Sequence, residues 1–169
     1  SRPAESKADM GMTRFLKPEP LPKGAGIEGF HSGDEVVDAW VADHSATARS
    51  RGTAVIYVSR TTDGDVAGFY TLSTHSVARG SVSGGWLKRN SPEQIPAVLL
   101  GMLGVAVEYQ GLGLGASLLQ DAYRNASKIA TLAGARALVV DPSSARAEGF
   151  YERFGFVFIG KSNRMALKL

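Results

Sequence analysis

The chain has 169 residues, of which 44% are hydrophobic and 21% charged, a size and balance suited to one soluble domain with a sizeable core. It holds no cysteine, which excludes disulfides, thiolate metal sites and cysteine nucleophiles, and His31, His44 and His75 lack metal-ligand spacing, so no metal is expected. No apolar run is long enough for a transmembrane helix and no leader-like apolar stretch opens the chain, so a cytoplasmic protein is expected; a net charge of +3 permits a polyanionic partner without requiring one.

Residues 1–26 read as a flexible N-terminal arm. Residues 1–12 are polar and aperiodic, and 17–26 hold three prolines and two glycines. From Asp34 the pattern turns helical: Val36, Val37, Trp40, Val41 and His44 share a face, Ser32 or Asp34 can cap it, and the helix is expected to end near 51–52. Residues 53–59 alternate as a strand, Asp63-Gly64 marks a hairpin turn, and 66–73 is the returning strand. Residues 77–90, rich in Ser and Gly, read as loop, with Pro92 and Pro96 as punctuation. The apolar run 97–107 predicts a buried strand. It leads into the turn 110–115 and a helix whose face carries Gly115, Leu118, Leu119, Ala122, Ala126, Ile129, Ala130 and Ala133, closed by Gly134. A short buried strand follows at 137–140, then a break at 141–144 and a helix over 145–154 stopped by Gly155. Strands at 156–160 and 165–169 end the chain. The sum is a mixed α/β fold.

The turn Gln110-Gly111-Leu112-Gly113-Leu114-Gly115, between strand and helix, is the most informative feature. Glycine permits positive φ and close approach of a ligand. The first helical turn leaves N–H groups unpaired, and with the helix dipole these suit a pyrophosphate. The glycine spacing fits the dinucleotide fingerprint poorly, Asp141 lies too late to serve a ribose, and Ala116 and Ser117 stand where a P-loop needs lysine. A tight turn with no ligand is the competing reading.

The turn and a later motif together resemble the GCN5-related N-acetyltransferase (GNAT) family. Gln110, Gly113 and Gly115 match its coenzyme A motif, R/Q-x-x-G-x-G/A; Val139-Val140-Asp141, Ala147-Glu148-Gly149-Phe150-Tyr151 and Gly155-Phe156 match its later strand, turn and helix. The resemblance covers about 53–169 and implies a single acetyltransferase domain over 27–169. It implies a central, mostly antiparallel sheet with a splayed central strand pair, flanked by helices. Acetyl-CoA is then the co-substrate. Leu103, Gly104 and Val105 would pair with its pantetheine, the turn residues Gln110, Gly111, Leu112, Gly113, Leu114 and Gly115 would hold its pyrophosphate, and Ser144 would add a contact. Tyr151 would be the general acid for the departing thiolate, against the simpler reading of an aromatic packed on Phe154 and Phe156. No base stands out: Glu108 precedes the turn, while Asp141, Glu148 and Glu152 read as cap or surface charges. An α-amine, with a pKa of about 7.7–8.0, suits a chain without one.

Gly68-Phe69-Tyr70-Thr71-Leu72-Ser73, Ile95-Pro96-Ala97-Val98-Leu99-Leu100-Gly101 and Ala145-Arg146-Ala147 look more narrowly like the GNAT toxins of type II toxin–antitoxin modules, and Phe30, Trp40, Tyr57 and Val58 fit as well. That resemblance implies aminoacyl-tRNA acetylated on its α-amine, a ribbon-helix-helix antitoxin as partner, and a homodimer. The chain departs from the toxin pattern in Met102 for arginine, Gly104 for alanine and Ser144 for asparagine. A tRNA acceptor predicts basic residues at the site: Arg79, Lys88 and Arg89 first, with Arg49, Arg51, Arg146, Arg153, Lys161 and Arg164 elsewhere. Trp86 could stack a base or be core. A GNAT acting on a small amine or protein N-terminus, and a non-catalytic acyl-CoA-binding module, are the alternatives.

Overall fold

The computed structural model describes residues 14–169; the first part of the expected arm, 1–13, lies outside the described residues. Among the described residues the order is β1 (Glu19–Pro20), α1 (Glu35–His44), β2 (Val55–Arg60), β3 (Val66–Ala78), β4 (Gln94–Val105), α2 (Leu114–Ala133), β5 (Ala137–Val140), α3 (Ala145–Phe154), β6 (Val157–Phe158) and β7 (Met165–Lys168). The strands form one seven-stranded sheet, β1-β2-β3-β4-β5-β7-β6. Every neighbouring pair is antiparallel except β4 and β5, which α2 connects in parallel. This is the expected mostly antiparallel α/β architecture.

Several expected boundaries move. Helix α1 stops at His44; residues 45–52 continue as turns, with Thr47 N and Ala48 N returning to the His44 carbonyl at 3.2 and 3.0 Å. Strand β3 runs past Ser73 to Ala78, and β4 begins at Gln94, three residues before the expected 97. The two stay paired to the end, Ala78↔Gln94. The extension has its own apolar face to cover, since Val77 and Ile95 join Val82, Leu87, Val139 and Ile159 in a separate buried cluster. Pro96, read as punctuation, lies inside β4, one residue before its first pair with β5, Ala97↔Ala137. The strand expected over 156–160 is paired only at Val157–Phe158.

Packing follows the two-residue alternation of the strands. One sheet face, with Tyr70, Leu72, Val98, Leu100, Leu138 and Val140, is covered by α2 and α3 through Leu114, Leu118, Leu119, Ala122, Ala126 and Tyr151. Opposite, Ile56, Val58 and Phe69 receive α1 through Val37 and Val41. Residues 14–26, read from the sequence as part of a flexible arm, lie along β2. Leu16 N donates to the Arg60 carbonyl at 2.8 Å and Leu21 N to Ile56 at 2.7 Å. Leu21 and Ile27 are buried. Under α2 the Tyr70 hydroxyl donates to Asp121 Oδ2 at 2.5 Å and accepts from Asn125 Nδ2 at 2.7 Å. Burial and the Asp121 carboxylate push the Tyr70 phenol up in pKa, so this polar knot stays protonated at Tyr70.

Candidate active site

The site begins where the parallel pair comes apart. β4 and β5 pair only from Ala97↔Ala137 to Leu100↔Val140. β5 then ends, while β4 continues to Val105 on β3 alone. A bulge sits at the parting. Leu72 faces Leu100 and Tyr70 faces Leu103, so Gly101 and Met102 both stand against Thr71. Thr71 Oγ1 accepts from Met102 N at 2.9 Å. An extra residue bends the strand that carries it, so β4 swings from β5 and leaves its 101–105 backbone on a cleft. The cleft has two connected parts, of about 330 and 840 Å³, which share Asp34, Leu103, Ser143, Ser144, Arg146 and Phe150 as walls.

The larger part lies over the glycine turn. Gly111 and Gly113 have φ of 79° and 84°, the left-handed region that side chains resist, and Gly113 opens α2 with no side-chain cap. Gly115 needs no such conformation, and a Cβ there would make ordinary contacts with Phe150 at 3.6 Å and Val105 at 3.9 Å. Its missing side chain therefore serves the open space above the helix end. Of the expected coenzyme residues, Leu103, Gly104, Val105, Gln110, Gly111, Gly113, Leu114, Gly115 and Ser144 line this part. Leu112 does not; it is half exposed at the tip of the turn. Gln110 turns inward, its Nε2 donating to the carbonyls of Ser32 at 2.6 Å and Val105 at 2.9 Å, so it braces the turn. Gly104, where the toxin pattern has alanine, is sterically required: a Cβ would approach Val37 to 2.9 Å and Phe30 and Phe69 to 3.2 Å. Ser144 caps α3, its Oγ accepting from Ala147 N at 3.1 Å.

The smaller part holds Tyr151, which is 8% exposed and packed edge-on between Phe150 and Phe156 at 5.2 and 5.3 Å. Among the described residues no hydrogen bond ties its hydroxyl. Burial raises the Tyr151 pKa, and the negative charge of Asp34 raises it further. Across this part Asp34 and Val36 enter from α1, Gly101 and Met102 from β4, and Asp141 from the end of β5. Asp141 is held by Arg164, whose Nε and Nη2 donate to its two oxygens at 2.8 Å each. Those hydrogen bonds hold the Asp141 carboxyl below the usual range against the opposing pull of burial. Arg164 Nη1 also lies 2.9 Å from His75 Nε2. Burial first, and then the guanidinium, lower the His75 pKa. Asn163 Nδ2 donates to the Pro142 carbonyl at 2.7 Å, so the turn before β7 grips the turn after β5.

Other expected site residues stand elsewhere. Arg79, Lys88 and Arg89 line neither part of the cleft. They belong to the connection between β3 and β4, which Arg136 anchors by donating to the carbonyls of Leu87, Arg89 and Asn90. Trp86 packs half-buried on the cluster beneath that connection. Arg146 and Arg153 do reach the cleft, from α3. Glu108 sits exposed on the turn before Gln110, and Glu148 and Glu152 lie outside the lining. No cluster of three metal-ligating side chains occurs among the described residues, and none of their helices is long and apolar enough to cross a membrane. The sequence marked Asp34 only as a helix cap; its second position, on the cleft, depends on tertiary structure.

Comparison with known proteins agrees with this geometry. A family model described as an acetyltransferase (GNAT) domain matches residues 37–158. The chain is 32% identical over 145 residues to a tRNA-acetylating toxin of Mycobacterium tuberculosis, with 86% of each protein covered. Its fold is similar to that of AtaT complexed with acetyl-methionyl-tRNAfMet, at a TM-score of 0.80 and 22% identity, over 92% of this chain and 95% of that one. It is also similar to a tyrosine-to-phenylalanine mutant of the AtaT toxin bound to the C-terminus of the antitoxin AtaR and acetyl-CoA, at a TM-score of 0.76 and 22% identity, over 92% of this chain and 93% of that one. With a splayed β4–β5 pair, a glycine turn opening α2 and Tyr151 at the parting, the chain belongs to the GNAT family of acetyltransferases.

Proposed function

We propose that the protein is a toxin that transfers acetyl from acetyl-CoA to the α-amine of an aminoacyl-tRNA and so blocks translation. The observation that carries this is the continuity of the cleft, from the glycine turn that opens α2, along the β4 backbone that β5 leaves unpaired, to Tyr151 and the start of α1. A tRNA-acetylating relative at 32% identity supports the acceptor.

The donor supplies an acetyl thioester; transfer forms a C–N bond, breaks the C–S bond, releases one proton from nitrogen and places one on sulfur. The first-turn N–H groups of α2 bind the pyrophosphate. The 101–105 backbone adds hydrogen bonds as a strand would. Tyr151 meets the sulfur. Its phenol is protonated throughout the physiological range and, with no hydrogen bond to another described residue, is free to donate to sulfur as negative charge grows there. On this reading the protein acts in the cytoplasm, pairs with a ribbon-helix-helix antitoxin and forms a homodimer. The exposed side chains of Val36, Leu112, Val157 and Phe158 are apolar surface available to such partners.

Incubation with labelled acetyl-CoA and a set of charged tRNAs tests the reading. Label is expected in tRNA charged with a subset of amino acids, lost on deacylation. No label with any charged tRNA overturns it.

A further inference from the structure

We infer that Asp34 is the residue that receives the acceptor's amino group: its carboxylate, on the α1 side of the cleft, binds the α-amine opposite Tyr151. The inference rests on the acceptor reading above and assigns a recognition element to it.

Three observations converge on Asp34. First, it is a wall of both parts of the cleft, on the sheet face opposite α3. The donor enters from the α2 and α3 side, so an acceptor has the α1 side left to it. Second, its oxygens are divided in use. Oδ1 accepts from Val36 N and Val37 N at 2.9 and 3.3 Å as the α1 cap, whereas among the described residues Oδ2 accepts only the Ser143 hydroxyl, at 2.7 Å. A carboxylate offers about four lone-pair sites, so Oδ2 keeps room for an N–H donor. The Ser143 bond also fixes Oδ2 against the turn after β5.

Third, the other acids near it are already paired or lie outside the cleft. Asp141, the second acid of the smaller part, is bound at both oxygens by Arg164. Asp38, next on α1, accepts from Ser32 N, Ser32 Oγ and Gly33 N and pairs with His31 at 2.9 Å. Glu35 is exposed and lines neither part. Arg146 and Arg153 face the cleft from α3. Asp34 makes no ion pair among the described residues. Asp34 is thus, among the described residues that line the cleft, the acid whose carboxylate no cation holds, with the Arg146 and Arg153 guanidinium groups entering from α3. A primary ammonium, or an amine gaining positive charge as the C–N bond forms, is the group such a carboxylate stabilises.

Asp34→Asn tests the charge alone, because asparagine caps a helix as well as aspartate does. The expected result is unchanged thermal melting, unchanged acetyl-CoA affinity and a ten- to hundredfold fall in kcat/KM for aminoacyl-tRNA, the scale of one hydrogen bond to a charged group. An α-hydroxyacyl-tRNA, lacking the amine, should bind wild type and variant alike. Asp34→Ser, also a good cap without charge, stands in if the first variant melts early. Unchanged kcat/KM in the variant overturns the inference, as does an equal loss in α-hydroxyacyl-tRNA binding. If wild type labels no charged tRNA, the acceptor reading falls and this inference with it; if wild type labels tRNA and the variant labels it equally well, only the inference falls.

Discussion

The two halves of the cleft are built differently. Over the glycine turn the proposed binding groups are backbone: N–H donors at the start of α2 and the 101–105 edge of β4, shaped by Gly111 and Gly113. Around Tyr151 they are side chains gathered from α1, β4, β5 and α3, and one contact that ties them, Ser143 to Asp34, spans 109 positions of sequence. A backbone site tolerates most side-chain changes and fails when a glycine gains a Cβ. A side-chain site fails one residue at a time. The largest effect is therefore expected in the second half. Tyr151→Phe keeps the ring between Phe150 and Phe156 and removes only the donor, so kcat should fall about 10²–10⁴-fold with acetyl-CoA affinity unchanged. Retention of full activity in a labelled-acetyl assay would show that sulfur leaves without Tyr151.

The next prediction is a control outside both halves. Tyr70→Phe strips the hydroxyl from the knot with Asp121 and Asn125 and leaves Asp121 buried with a partner missing. Stability should drop by about 1–3 kcal/mol in denaturant unfolding, with kcat/KM of the folded fraction unchanged. A change in turnover would mean that α2 transmits core packing to the glycine turn.

The same division explains what the sequence disclosed. The glycine turn, α2, the buried β5 and α3 were legible because each is local: glycine spacing, helical periodicity and a short apolar run carry them. Tyr151 was legible through its Phe-Tyr and Gly-Phe neighbours. The bulge at Gly101 and Met102 was not, because it exists only in register against Thr71. The full length of β3 was hidden in a Ser-rich stretch whose alternate residues, Val77 among them, cover a second cluster. Asp34 read as a cap, which it is; its place on the cleft depends on β4 and the turn after β5. Charge alone marks Lys88 and Arg89 in the sequence, whereas in the fold Arg136 ties their segment down through the Arg89 and Asn90 carbonyls, outside the lining of the cleft.

Gly113→Ala sharpens the backbone side of the comparison. At φ 84° an L-residue costs about 1–2 kcal/mol, yet no described residue lies within 4 Å of the new methyl group. If the turn serves only folding, the melting temperature falls and acetyl-CoA affinity of the folded protein does not. If it cradles the pyrophosphate, affinity falls as well, by about tenfold or more, measured by calorimetry at a temperature where the variant is folded. Gly115→Ala separates the two further, since its backbone is already helical and strain is absent.

The smallest expected effect concerns the clamp beneath the acceptor side. Arg164 holds the Asp141 carboxyl below its ordinary pKa of about 3.9, so the folded-state value lies under the unfolded one. A depressed carboxylate contributes stability that is present above about pH 4 and lost as pH falls through the folded value. The Asp141 and Arg164 side chains are 50% and 25% exposed, so solvent screening keeps that contribution to about 0.5–1 kcal/mol. Asp141→Asn should lower the melting temperature slightly at pH 7, and the difference should shrink as pH falls through the folded-state value and the wild-type carboxyl takes up its proton. Acetyl-CoA affinity should not change, because the glycine turn is remote from the clamp. The acceptor KM should rise about two- to threefold, since the turn after β5 carries Ser143 and Ser143 fixes Asp34. Asn163 still grips Pro142 in the variant, which limits how far that turn can move. An equal loss of affinity for acetyl-CoA and for the acceptor would show that the two halves are one mechanical unit, and that the division between backbone and side-chain sites stops at the chemistry of the groups involved.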